Sequence, residues 1–390
     1  MKLASIKLFQ SQHRHLIFFS VLFLIVQGGL LIHYGIYEKE EALKYIYEAG
    51  YFMEHHSFSQ PKYIFYSGYI FLHVLAKLTA TGLAGVYFVQ LVLNAFSTYC
   101  FYKLTLVISG RRTAAFIATT LLLLCIPFQK WTVYLFTESV FFSLVIIYAY
   151  VLFTSFENRY TKLIFIGVLL CILVLLRPTG MLLIPASMVL GSWYLFVTGR
   201  KFWGVAIWLP GLAALVVLLD TAIRGKGEFD FIKPYIEQHI ICGLPQGPLM
   251  PGKAAYENTL QGLISYIADN PGQFVELGFK RLIAFFGLIR SYYSDIHNML
   301  LIAGLYPVYI FASFSIRHLY MRARRFFIFT LALTATFALS VIITCDDWHN
   351  RFIMPVMPLI FIFAGVGLTN LYTALFKRAN AINTENSSPG

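Results

Sequence analysis

Along its whole length the chain alternates long apolar runs with short polar joints. Runs able to cross a bilayer lie near 15–36, 84–107, 113–130, 138–155, 162–176, 180–198, 203–222, 298–316, 326–344 and 352–374, since about 20 apolar residues span the hydrocarbon core. About ten transmembrane helices are therefore predicted. The 162–176 and 180–198 runs are parted only by Arg177-Pro178-Thr179. Proline disfavours continuing a helix and arginine is costly at mid-bilayer, so a tight turn is predicted between them. Two more apolar stretches, 62–79 and 281–296, carry charge or histidine at helical spacing, as with Lys62, His73 and Lys77. They read as interfacial or re-entrant helices on the outer face.

The polar joints set the orientation. Lys and Arg gather at the N-terminus, at Lys103/Arg111/Arg112, Arg159/Lys162, Arg200/Lys201, Arg317/Arg322/Arg324/Arg325 and Lys377/Arg378. Ten spans put all of these groups on one side, which the positive-inside rule makes cytoplasmic. Counting either doubtful run as a span would break that arrangement. Of the eighteen carboxylates, all but Glu157 and Glu385 then face out or lie at the outer edge. Acids orient spans only weakly, so this polarisation asks for a functional reason.

Composition fixes the class. Of 390 residues 58% are hydrophobic and only 12% charged, with a mean hydropathy of +0.70, which excludes a soluble domain. The net charge of +12 does not point to nucleic acid, because the cations sit in short joints rather than along a basic stripe. The first apolar run is too long for a signal peptide and lacks a cleavage site before Tyr37-Glu38, so it reads as an uncleaved span. The chain is expected to be a single transmembrane domain over 1–376. Its outer loops would cover about 37–83 and 223–297, and a disordered polar tail 377–390. Cys100, Cys125 and Cys171 lie in apolar runs, whereas Cys242 and Cys345 fall in loops, and whether they pair is left open. His55-His56 with Glu54 lacks metal-ligand spacing. A P-loop, a dinucleotide fingerprint and a nucleophile elbow are all missing.

The candidate chemistry lies at the outer edge. In EKEEALKYIYEAGYF, Glu41, Tyr45 and Ala49 share one helix face. The plain reading is a solvated helix whose glutamates pair with Lys39 and Lys44; the sharper one makes Glu41 a general base. Glu138 opens a span, where the helix dipole and a Thr137 cap favour an acid, or serves as a second acid in the same cleft. Arg177, in LLRPTGMLLIP, either snorkels to lipid or forks onto a phosphate. Lys62, and Arg351 with His349 in the hinge Asp346-Asp347-Trp348-His349-Asn350-Arg351, supply further positive groups on the same predicted side.

EALKYIYEA, FTESVFF, LLRPTGMLLIP, YIADNPGQFVELGFKRLIAFFG and HNRFIMPVMPLIFI, in that order from about residue 30 to 374, resemble bacterial membrane glycosyltransferases of the C superfamily. The nearest type is the protein O-mannosyltransferase and lipid A aminoarabinose transferase group. The resemblance implies an all-α, GT-C-like polytopic fold in the cytoplasmic (inner) membrane, with its active site facing the exterior. It implies an inverting glycosyltransferase that moves a sugar from a polyprenyl-phosphate donor to a lipid, glycan or protein acceptor. Glu41 stands where the family has aspartate, which leaves Glu38 and Glu40 as alternatives for the base. Glu138 matches the second family acid, and Lys62, Arg177 and Arg351 fall where phosphate-binding groups are expected. Glu40, Tyr45 and Asp347 are supporting candidates, and a divalent metal is left open. A transporter or flippase of lipid-linked glycans, and a polysaccharide polymerase or ligase, are the alternative readings. The span centres carry almost no charge and no repeat is visible, which argues against a transporter.

Overall fold

The computed structural model describes residues 2–213, 216–217, 232–244, 256–347 and 349–386. Among these, seven helices are long and apolar enough to cross a membrane: Arg14–Tyr34, Gly82–Ser109, Arg159–Leu176, Pro178–Val197, Asp295–Ser313, Arg324–Ile343 and Met357–Leu375. Leu24, Ile32, Ile164 and Leu300 on their free faces are 67%, 89%, 65% and 68% exposed. So much bare apolar surface requires a lipid solvent. The chain is an all-α polytopic membrane protein.

Two of the ten expected spans take another form, and a third falls partly outside the described residues. The 113–130 run is bent by 63° between Arg112–Leu124 and Ile126–Thr132, and makes an eighth crossing only if the two pieces count as one. Pro127 at the start of the second piece explains the break. The 138–155 run forms the 17-residue helix Thr137–Phe153, buried on nearly every side. It is an internal helix, which is why it is apolar all round. The 203–222 run extends beyond the described residues; the part described is helical over Lys201–Ala206 and again over 208–213 and 216–217.

The two doubtful stretches are not spans. Residues 62–79 fold as a 3-10 turn, Pro61–Tyr66, and the 12-residue helix Ser67–Leu78, which is about 18 Å long and too short to cross. Residues 281–296 do not form the single interfacial helix expected. Pro271–Gly287 ends at Leu288, whose φ is 63°, and the next span starts at Asp295 because Ser294 caps it, accepting from the His297 N–H at 3.3 Å. The tail also departs from expectation. The last helix, Met357–Asn386, runs on through the polar residues, which contain no breaker before Pro389; 387–390 lie outside the described residues.

Helix packing defines two ends. Phe153 packs on Phe326 with ring centroids 5.4 Å apart, the Arg325 guanidinium lies 5.2 Å from the Tyr194 ring, and Arg111 Nη1 donates to Asn370 Oδ1 at 2.7 Å. These contacts gather the basic joints at one end. From there Arg324–Ile343 rises about 30 Å to the hinge at the other. The final helix crosses Asp295–Ser313 so closely that a Cβ on Gly367 would collide with the Phe311 carbonyl, the close approach that small residues allow between membrane helices.

At the hinge end the backbone between Leu124 and Thr137 is irregular, and its polar groups need partners inside the protein. Gln90 Nε2 donates to the Thr132 and Tyr134 carbonyls, both at 3.0 Å, and Gln129 Nε2 to the Leu122 carbonyl at 2.9 Å. Asn94 Nδ2 donates to Thr132 Oγ1 at 3.1 Å. These buried amides, set in apolar helices, hold the strap that leads into Glu138.

Candidate functional site

Four separate segments bring charged groups to one point beside that strap. Tyr37 pairs with the strap in two backbone bonds, its N–H to the Val133 carbonyl at 2.8 Å and its carbonyl to the Leu135 N–H at 3.0 Å. This sets the start of the helix Glu41–His55 next to the first turn of Thr137–Phe153. The helix then buries Ala42, Tyr45, Glu48 and Ala49. The solvated-helix reading holds only in part: this face packs into the protein, while the expected pairing of Glu41 with Lys44 is present.

Arg177 arrives from the break between two spans. The helix Arg159–Leu176 ends at Arg177, with extended backbone, and Pro178–Leu182 turns back as a 3-10 segment. Gly180 makes the turn possible: a Cβ there would strike the Leu173 carbonyl. Arg351 comes from the far end of the sequence, on a hinge fixed by several ties. Cys242 and Cys345 are joined in a disulfide. Asp346 accepts from the Cys242 N–H at 2.8 Å and donates its own N–H to the Ile240 carbonyl at 2.9 Å. Asn350 Nδ2 donates to the Leu288 carbonyl at 2.8 Å. Trp348 lies outside the described residues.

Arg351 is the centre of the cluster. Its Nη1 reaches Glu41 Oε2 at 2.5 Å and Glu138 Oε1 at 2.7 Å, and its Nε lies 2.7 Å from Asp347 Oδ2. Arg177 Nη1 pairs with the same Glu138 oxygen. Thr137 Oγ1 donates to Glu138 Oε2 at 3.2 Å. Lys44 stands 3.1 Å from Glu41 Oε1. Burial opposes the charge on Glu41, but Arg351 and then Lys44 outweigh it and hold the carboxyl below its usual range.

The structure separates the remaining candidates. Glu40, with a φ of 55°, faces Tyr37 rather than the cluster, so of the three adjacent acids Glu41 is the one brought to Arg351. Tyr45 is fully buried among Tyr66 and Tyr69, at ring distances of 5.6 and 5.1 Å. Lys62 holds its ammonium 5.4 Å from the Tyr63 ring. His349 meets Trp131 edge-on at 5.8 Å; burial, then the nearby Lys130, lower its pKa, so it is neutral near pH 7. Asp346 and Asp347 of the hinge are 1% and 5% exposed. They orient: Asp347 holds Arg351, and Asp346 takes Arg290 Nη2 at 2.5 Å. Burial pushes the Asp346 carboxyl up to about 6 despite Arg290.

Two cations escaped sequence reasoning. Arg290 was hidden in an apolar stretch read only for its span potential. Lys130 lies in the strap, its ammonium 5.1 Å from the Trp131 ring, with no carboxylate at ion-pair distance among the described residues. Its electrostatic neighbours are Asp347, Arg351 and Glu138. A lysine beside tryptophan just ahead of Glu138 was the available signal. Among the described residues no group of three or more His, Cys, Asp or Glu is arranged to hold a metal. His55 instead stacks on Tyr51 and bonds to its carbonyl.

Comparison of the chain with known protein families, characterised proteins and solved structures returned no match.

Proposed function

We propose that this protein is a membrane glycosyltransferase that moves a sugar from a polyprenyl-phosphate donor to an acceptor hydroxyl at the outer face of the cytoplasmic membrane. The observation that carries the reading is Arg351 bridging Glu41, Glu138 and Asp347 at one end of the bundle, with Arg177 on the same glutamate. Buried ionisable groups gathered at a membrane edge are expensive and mark where polar ligands are handled. The oxidised Cys242–Cys345 pair on the same hinge favours an oxidising compartment for this end. The basic joints at the opposite end favour the cytoplasm for theirs.

In this reading the donor phosphate docks on Lys130 and draws Arg351 and Arg177 toward itself. Glu41 is then relieved of the cation that depresses its pKa and becomes a competent base. The acceptor oxygen forms a bond to the anomeric carbon from the face opposite the phosphate, and its proton passes to Glu41. The carbon–oxygen bond to phosphate breaks, its electron pair stays on the phosphate, and the configuration inverts. The leaving polyprenyl phosphate gains negative charge, which the arginines and Lys130 stabilise in a site that largely excludes water. Glu138 keeps the two arginines in register, and Asp347 aims Arg351.

The test is to present proteoliposomes with a panel of polyprenyl-phosphate sugars and an acceptor mixture, and to measure release of polyprenyl phosphate. Release by the native protein, and its loss in Glu41→Gln with unchanged folding, is the expected result. Full turnover by Glu41→Gln would remove the base assignment. Movement of intact donor across the bilayer without release would replace the transferase reading with that of a carrier.

A further inference from the structure

We infer a binding site for an anionic phospholipid at the basic end of the bundle, remote from the charged cluster. A cavity of 360 Å³ opens there, lined by Arg322, Arg324 and Arg325 beside Val107, Phe153, Trp193 and Phe326. Five helices meet around it: the ends of Gly82–Ser109 and Thr137–Phe153, the last turns of Leu183–Val197, the end of Ile316–Arg322, and the start of Arg324–Ile343. Its volume falls in the range of small-molecule sites.

The three arginines are not spent on the protein. Among the described residues no carboxylate lies at ion-pair distance from any of them. Arg324 lies over the Tyr320 ring at 4.4 Å and Arg325 over the Tyr194 ring at 5.2 Å, contacts that orient a guanidinium while leaving its N–H groups free to donate. Neighbouring cations at this end do have polar partners. Lys162 donates to the Leu152 and Thr154 carbonyls at 2.9 and 2.7 Å, and Arg111 to Asn370. The basic side of the cavity is therefore an available anion receptor, not an internal clamp.

The other walls decide the occupant. Val107, Ile108, Phe153 and Phe326 present an apolar surface next to the guanidinium groups. A free inorganic phosphate would use the arginines and leave this apolar wall wet. A phospholipid bearing a net negative headgroup uses both, as basic pockets between membrane helices do. Nothing in this inference depends on the transferase reading.

The purified full-length protein in neutral detergent is titrated with phosphatidylglycerol, phosphatidylcholine or inorganic phosphate. Bound lipid is counted by native mass spectrometry, and thermal unfolding is followed in parallel. Phosphatidylglycerol is expected to bind and raise the midpoint, with phosphatidylcholine and phosphate having little effect. The triple variant Arg322→Gln/Arg324→Gln/Arg325→Gln should bind it about tenfold more weakly or worse. A charge-matched control, Lys103→Gln/Arg159→Gln/Arg200→Gln, should bind it normally. Val107→Trp, which fills the cavity and keeps every arginine, should also lose binding. Equal losses in the pocket and control triples, a normal Val107→Trp, or an equal response to inorganic phosphate would each overturn the site.

Discussion

Replacing Arg351 with alanine removes the one side chain that touches Glu41, Glu138 and Asp347, at 2.5, 2.7 and 2.7 Å. Glu138 would keep Arg177, and Glu41 would keep Lys44. Asp347, with a side chain 8% exposed, would be left as a nearly buried charge without its ion-pair partner. Breaking a buried pair in this way costs about 3–5 kcal/mol. At about 2 °C per kcal/mol for a large chain, the midpoint should fall by about 6–10 °C. Thermal unfolding in detergent, followed by tryptophan fluorescence, reads this directly. Arg351→Lys keeps the charge but cannot fork to three partners, so it should lose an intermediate amount. Adding Asp347→Asn to Arg351→Ala should recover part of the loss, because the stranded charge is gone. A fall of less than about 2 °C in Arg351→Ala, or strictly additive losses in the double variant, would refute the view that this guanidinium holds the cluster together.

Other outcomes follow from the same structure. The Glu41 carboxyl is held below its ordinary value of 4.5, so its share of stability is complete above that pH and lost as pH falls through the folded value. Midpoints measured from about pH 6 down to about 3 should show this loss in the native protein and a flatter curve in Glu41→Gln. Gly180→Ala forces a Cβ against the Leu173 carbonyl and should cost on the order of 1–3 kcal/mol, displacing Arg177; an unchanged midpoint would show that the turn is looser than described. Cys242→Ser with Cys345→Ser should lower stability by about 2–4 kcal/mol, read by the same unfolding assay with and without reductant.

The membrane class and most helices were legible because a bilayer imposes length and apolarity on every span. The Arg177 turn was legible for the same reason: a proline and an arginine have few places to go in such a run. The bent Arg112–Thr132 segment was harder. Its break depends on Pro127 and on Gln90, Gln129 and Asn94 serving as buried partners, and these read in sequence as incidental polar residues in apolar helices. The cluster was legible in its members but not in its wiring. Polarisation of the acids singled out one face, yet spacing could not choose between Glu40 and Glu41. Lys62 was singled out for lying on the same predicted side, whereas it is Lys44, one helical turn from Glu41, that stands 3.1 Å from its carboxylate, a pair that local spacing already allowed. Lys130 and Arg290 were missed because a lone cation in an apolar stretch weighs little against the surrounding hydropathy.

The separation of the cluster along the chain has a consequence for synthesis. Arg351 is 310 residues after Glu41 and 213 after Glu138. At about 5–20 residues per second, roughly 15–60 s pass between the emergence of Glu41 and that of Arg351. For the last 213 residues of that interval Glu138 is present without its second cation. Arg177 follows it from the ribosome early, so the Glu138–Arg177 pair is the one available to half-insert the charge safely. The nascent chain thus carries an internal counter-ion for the waiting period, and the hinge completes the cluster only when Arg351 emerges.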